Sequence, residues 1–174
     1  LRVKYLCYAE EDYELCVMQK PLLKQSIERE LNAYITPKVK ECIEDVKSSL
    51  KSKGYSVSSK DPGVSVSLIP NAILIDIQPE LRFSKDKTES YDSIKIDLNS
   101  ELYQLVMISS SITNWEARYG ASESLLYMSY YPTLRVEKKK QSDGTTVYTL
   151  TDRTSLDKFR FATRSFVLAP GIEQ

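Results

Sequence analysis

The chain has no histidine, and that absence decides much of the chemistry open to it. Ser-His and Cys-His nucleophile pairs, most catalytic zinc sites and the commonest general base all need an imidazole. Acid–base work falls to carboxylates, Lys, Tyr or Cys. Asn114, Glu116 and Arg118 surround Trp115 on one predicted helix, but residues two apart do not share a helix face, so they are not a preassembled acid–base pair. Glu116 or Glu123 can act only by meeting a distant second carboxylate, as in a glycan hydrolase. Asp143, Gly144 and Asp152 do not follow the EF-hand spacing. With only five glycines, and no GxGxxG, GxSxG or P-loop pattern, a nucleotide cradle is not expected. No catalytic residue, metal site or cofactor is predicted.

Three groups of residues point to binding or to covalent structure instead. Among twelve tyrosines, Tyr127, Tyr130 and Tyr131 cluster just before Pro132, close in sequence to Trp115 and Tyr119. Exposed, these five make a surface suited to a partner protein, a glycan or a flat ligand. Buried, they pack a helix onto a sheet, and the exposure of Tyr130 and Tyr131 distinguishes the two. Lys138, Lys139 and Lys140 lie beside a predicted hairpin. They can touch an anionic surface, or keep an edge strand soluble and unpaired. Cys7, Cys16 and Cys42 form no CxxC pair. They allow three buried thiols, or one bridge, Cys7–Cys16 or one involving Cys42, with one thiol left over.

The bulk properties set the frame. The chain has 174 residues, 41% hydrophobic and 28% charged, which is globular and long enough for a real core without a metal or a disulfide. Lys plus Arg and Asp plus Glu are both 24, giving zero formal charge. Nucleic-acid binders usually carry a basic excess to neutralise phosphates, so no nucleic-acid partner is expected. No run of 18 apolar residues is present to span a membrane. The chain begins at Leu1 and not Met, which reads as a fragment or processed form with room for a signal or anchor upstream.

The elements that must position these residues follow from periodicity. Residues 1–8 read as a lead-in strand or helical turn. The acidic run Glu10, Glu11, Asp12 and Glu14 suits the first turn of a short helix ending near Met18. From Pro21 to about Ser52, Leu23, Ile27, Leu31, Tyr34 or Ile35, Val39, Cys42 or Ile43, Val46 and Leu50 recur at three- and four-residue steps. Thr36-Pro37 interrupts that stripe without shifting its phase, which favours one kinked helix over two. Alternation then predicts strands from Tyr55 and Val57, over 64–69 and over 72–78, the last two joined as a hairpin by a Pro70-Asn71 turn, with 80–84 extending the second past Pro79, a polar loop at 85–89, and a strand over 91–98. Leu102, Leu105, Ile108 or Ser109, Ile112, Trp115 and Tyr119 predict a second amphipathic helix, capped by Asn99 or Ser100 and stopped by Gly120. Residues 122–131 fit a short helix or a strand. Ser142-Asp143-Gly144 predicts a hairpin between two strands, with a third over 158–168. The terminal Ala-Pro-Gly-Ile-Glu-Gln reads as a frayed tail. The expected architecture is α+β: a lead-in over 1–20, then a single domain over 21–174. In that domain a long kinked helix and a second amphipathic helix pack on a mainly antiparallel sheet.

The stretch IERELNAYITPKVKEC, residues 27–42, with Cys16 upstream, resembles a group of archaeal envelope proteins of unknown function. In these a membrane anchor precedes a cysteine-bearing lead-in, a long helix of the form IExELxxYIxxxxxxC and a β-rich ectodomain. The resemblance implies an extracytoplasmic, membrane-tethered domain at the cell surface, an accessory to pilus-like or secretion machinery. Together with the missing histidine, the absent motifs and the aromatic-rich second half, it leads to the expectation of a non-enzymatic domain that binds a partner protein or contributes to a surface assembly. Membrane contact would come only through the anchor. Two other readings remain open: a cryptic carboxylate-dependent glycan hydrolase, and a cytoplasmic or viral accessory protein.

Overall fold

The computed structural model describes residues 3–85 and 87–168; the expected frayed tail, residues 169–174, lies outside them. The fold is α+β with mostly antiparallel sheets. The chain divides into two compact units. One is discontinuous, Leu1–Lys24 with Ser100–Gln174; the other is continuous, Gln25–Asn99. This differs from the expected lead-in plus single domain. The first twenty residues supply strands to a sheet whose other strands come from the end of the chain, and sequence-local periodicity carries no sign of such a pairing.

The discontinuous unit contains β1 (Tyr5–Tyr8) and β2 (Val17–Met18). It also contains α2 (Leu102–Tyr119), α3 (Ser124–Tyr130), β9 (Leu134–Lys140), β10 (Thr146–Asp152) and β11 (Lys158–Arg164). Its sheet runs β2-β1-β11-β10-β9. The predicted meander β9-β10-β11 is present, and β1 joins it by parallel pairing, Tyr5 opposite Ala162 and Tyr8 opposite Arg164. The short helix expected over 10–18 is absent; residues 9–16 form a loop between β1 and β2, and 17–18 are β2 itself. Two contacts override the local acidic signal. A disulfide joins Cys7 to Cys16, both buried. The Arg164 guanidinium then gathers the loop, donating to the carbonyls of Ala9 (2.7 Å), Glu10 (3.1 Å) and Glu11 (3.3 Å) and to the Asp12 carboxylate (2.7 Å). The carboxylate run therefore wraps a cation and does not cap a helix.

α2 packs on β10 and β11. Leu105, Val106, Ile108 and Ile112 are buried on its inner side, as are Tyr148, Leu150 and Phe161 on the strands. Full burial of each large apolar side chain contributes about 1.5–3 kcal/mol. Ser109 and Thr113 are buried with them because each hydroxyl donates to the carbonyl four residues back, at 2.7 Å, which satisfies the group inside the core. Gly120 ends the helix with φ +79, a left-handed conformation that glycine adopts without strain. Glu101, at the N-cap position, makes no side-chain cap bond. Asp157 accepts the Glu101 amide at 2.7 Å, and the Ser100 hydroxyl accepts the Leu102 amide at 3.2 Å.

The continuous unit contains most of α1 (Leu23–Ser52), then β3 (Ser56–Ser58), β4 (Gly63–Ile69) and β5 (Ala72–Gln78). It continues with β6 (Leu81–Ser84), β7 (Thr88–Tyr91) and β8 (Ile94–Asn99). α1 is one helix with Pro37 inside it. Proline removes an amide donor from the helical ladder, and one residue earlier the Thr36 hydroxyl bonds to the Asn32 carbonyl at 2.7 Å. Leu31, Ile35 and Val39 pack against Val66, Ile75 and Ile77 of β4 and β5, so the predicted stripe does lie on a sheet. Within the ambiguous pairs, Ile35 and Ile43 face inward while Tyr34 and Cys42 are exposed.

The strands form two sheets, β4-β5-β8 and β3-β6-β7. Residues 80–84 were expected to prolong β5, and 91–98 to be one strand. Instead the long ribbon breaks. Between the pairs Ile77–Ile94 and Leu81–Tyr91 one side advances four residues and the other three. That extra residue is the signature of a bulge, and Glu80, after Pro79, takes φ +40 there. The expected loop at 85–89 is shorter than predicted, because β7 begins at Thr88.

Candidate functional site

α2 determines which side chains of the discontinuous unit reach solvent. Its buried face runs Leu105, Ile108 and Ser109, Ile112, and then Glu116. The apolar stripe was expected to continue through Trp115 and Tyr119. The helix instead turns those two outward: Trp115 is 44% exposed and Tyr119 62%. They lie four apart on one face, with ring centroids 4.6 Å apart. Met107, two turns before Trp115, is exposed too.

α3 continues this surface. The Tyr127 hydroxyl meets the Ser111 hydroxyl of α2 at 2.9 Å, so Tyr127 is the half-buried anchor of the aromatic cluster. Tyr130 is 74% exposed, and Tyr131, Leu125 and Leu126 are exposed as well. On its other side α3 packs against β9, where the Met128 sulfur accepts the Val136 amide at 3.4 Å. Of the five predicted binding residues, four are exposed and Tyr127 ties the two helices together.

Glu116 takes the inward place and is 2% exposed. A buried carboxylate is costly unless its charge and lone pairs are met. Here Oε1 accepts the Tyr148 hydroxyl and, at 3.0 Å, the Ser122 amide. The Lys138 ammonium stands 3.9 Å away and donates to the Ser122 carbonyl at 3.1 Å. It also lies over the Tyr148 ring, which stacks on Phe161. Burial, then the nearby Glu116 charge and its hydrogen bond, push the Tyr148 phenol well above the ordinary tyrosine range. The group bolts α2 to β9 and β10. It also splits the lysine run, because successive strand residues face opposite sides of a sheet: Lys138 and Lys140 line the cleft beside Glu116, and Lys139 does not.

That cleft, about 480 Å³, is lined by Glu116, Tyr119, Lys138, Lys140, Thr146 and Phe166 among others. Among the described residues it offers one carboxylate, and that one already holds a phenol and an amide. Most glycan hydrolases use two carboxyl groups across the scissile bond; Glu123 is not among the residues lining this cleft, and a smaller pocket over β4, β5 and β8 is lined by Asp76 and Asp97. Among the described residues no group of three His, Cys, Asp or Glu is placed to hold a metal ion.

The sequence reading missed Tyr148 and Arg164. Tyr148 was hidden inside an ordinary alternating strand. Arg164 works through its span to a segment about 150 residues earlier. Glu116 carried a usable signal, a charged residue four after Ile112 on the apolar face. Of the cysteine alternatives, the structure has the Cys7–Cys16 bridge, with Cys42 a free, exposed thiol. No family model, curated protein or solved structure matches the chain.

Proposed function

We propose that the discontinuous unit is a non-enzymatic binding module that engages a protein partner through the aromatic and aliphatic face of α2 and α3, in an extracytoplasmic, membrane-tethered protein. The observation that carries this reading is the exposure of Trp115, Tyr119, Tyr130 and Leu125 on two helices held together by Tyr127. Trp and Tyr dominate the energetics of protein interfaces because they bring large area with few torsions to freeze. Both helices are seated on strands of one sheet, α2 on β10 and β11 and α3 on β9, so the patch loses little further freedom on binding. The compartment is supported by the Cys7–Cys16 bridge, since such bonds persist in oxidising environments, and by the resemblance of residues 27–42 to envelope proteins. Among the described residues no helix is long and apolar enough to cross a membrane, so tethering rests on the resemblance.

Affinity capture from the native host tests the binding face. Trp115→Ala and Tyr130→Ala are each expected to weaken retention of the captured partner by roughly thirtyfold, while changing folding stability by less than about 1 kcal/mol. Tyr34→Ala, on α1, is expected to leave retention unchanged. Equal retention by all three variants contradicts the proposal. Alkylation at the moment of lysis tests the compartment: one modified cysteine, Cys42, is expected, and three would place the protein among reduced, cytoplasmic chains.

A further inference from the structure

Four strand edges of this chain invite comparison. An open edge is a row of unpaired backbone donors and acceptors, and folded proteins block such rows. In the discontinuous unit, β2 has only two residues, and β9 has α3 against it with the Met128 sulfur on the Val136 amide. In the continuous unit, the β4 edge is plugged by a carboxylate, Glu28 Oε1 accepting the Leu68 amide at 2.8 Å. β8, at the far edge of the same sheet, carries no such plug among the described residues, and all six of its residues, Ile94–Asn99, are exposed.

β8 is also apolar where an edge should be guarded. Its register with β5 sets Ile94, Ile96 and Leu98 opposite Ile77, Ile75 and Ile73. These three therefore share the face that α1 covers over β4 and β5. They remain 37%, 38% and 46% exposed, so the sheet's apolar face runs on past its cover. On the opposite face Lys95 sits across from Asp76, whereas Asp97 sits across from Leu74.

We propose that β8 pairs with β8 of a second copy of this chain, antiparallel about a two-fold axis through Ile96. Direct opposition in an antiparallel ladder puts both side chains on one face. Centring the pair on Ile96 sets Ile96 against itself and Ile94 against Leu98, twice. On the other face it sets Lys95 of each copy against Asp97 of the other, also twice. Asp97, which faces Leu74 within its own sheet, thereby gains a cation directly across. The segment IKIDL is self-complementary at this register in both hydrophobicity and charge. A slip by one residue breaks both, opposing Ile96 to Asp97 or Lys95. Two three-stranded sheets become one six-stranded sheet, and the symmetry closes at two copies. This edge belongs to the continuous unit, and the inference does not depend on the aromatic face of α2 and α3.

Sedimentation equilibrium of the whole chain in a Cys42→Ser background, which removes the exposed thiol, tests the pairing. The parent is expected to be a concentration-dependent dimer. Lys95→Glu places two like-charged pairs across the axis and is expected to raise the dissociation constant about five- to thirtyfold. Lys95→Glu combined with Asp97→Lys restores opposite charges and is expected to return it to within about threefold of the parent. Ile96→Lys, whose charges meet on the axis, is expected to give monomer, with an unchanged circular dichroism spectrum showing that the fold is kept. A parent that stays monomeric to about 1 mM overturns the proposal. So does a dimer indifferent to Lys95→Glu, or a double variant no tighter than Lys95→Glu alone.

Discussion

Tyr148 and Glu116 form the most consequential pair of side chains, because each answers the other's burial. Removing the phenol oxygen by Tyr148→Phe leaves the carboxylate one donor short, a loss of about 1–3 kcal/mol near neutral pH. The sign with pH follows from the raised phenol pKa, caused first by burial and then by the Glu116 charge. An unfolded tyrosine begins to ionise near pH 10. Below that, the native and unfolded chains both keep the proton and the stabilisation is whole. Above it the unfolded chain releases the proton and the native chain does not, so stability falls by up to about 1.4 kcal/mol per pH unit. Urea titrations from pH 7 to 11 should therefore show the gap between parent and Tyr148→Phe narrowing above pH 10; a constant gap would contradict the buried assignment. At this scale Glu116 was half legible. Its place on the apolar face of α2 could be counted from Ile112, but nothing local said that Tyr148, 32 residues later, and Lys138 would meet it.

Elements were more legible than their partners. The two long helices, the β4–β5 hairpin and the β9–β10 hairpin follow from periods of 3.6 and 2 and from Pro70-Asn71 and Asp143-Gly144, signals written within a dozen residues. The segment over 10–18 went the other way, because a helix-favouring acidic turn was outweighed by one covalent bond and one guanidinium, both long-range in effect. That makes the β1–β2 loop dependent on the bridge. Closing a loop between cysteines nine apart in sequence stabilises by about 2–3 kcal/mol in the chain-entropy account. Cys16→Ser should lower stability by that amount in denaturant unfolding and expose the 9–15 loop to limited proteolysis. Unchanged cleavage there would mean that Arg164 alone holds the loop. Trp115 and Tyr119 stood both in the apolar stripe and among the candidate exposed binding residues, and periodicity could not separate the two; with 115 and 116 both available, the residue that turns inward is Glu116, whose charge is satisfied there.

For the molecule as a whole, two compact units on one chain imply two levels of protection. Tyr148, Leu150, Phe161 and Ala162 are almost fully buried, whereas every residue of β7 and β8 is exposed. Hydrogen exchange should find the β10 and β11 amides slowest and those of β7 fastest, since local opening follows local burial. β8 should join the slow class only at concentrations where the copies pair. Uniform protection across both units would argue for a single cooperative body. Tying the beginning of the chain to its end through β1 and β11 was beyond sequence reading, because a parallel pair needs no turn to announce it.

The proposed seat of a protein partner is the face of α2 and α3. A photo-reactive amino acid placed at Tyr130 in the intact host, with a matched one at Tyr34, tests it most directly. One discrete adduct is expected from position 130, lost on adding Trp115→Ala, and none of that mass from position 34. Identical adduct patterns from the two positions, or an adduct at 130 that survives Trp115→Ala undiminished, would contradict it.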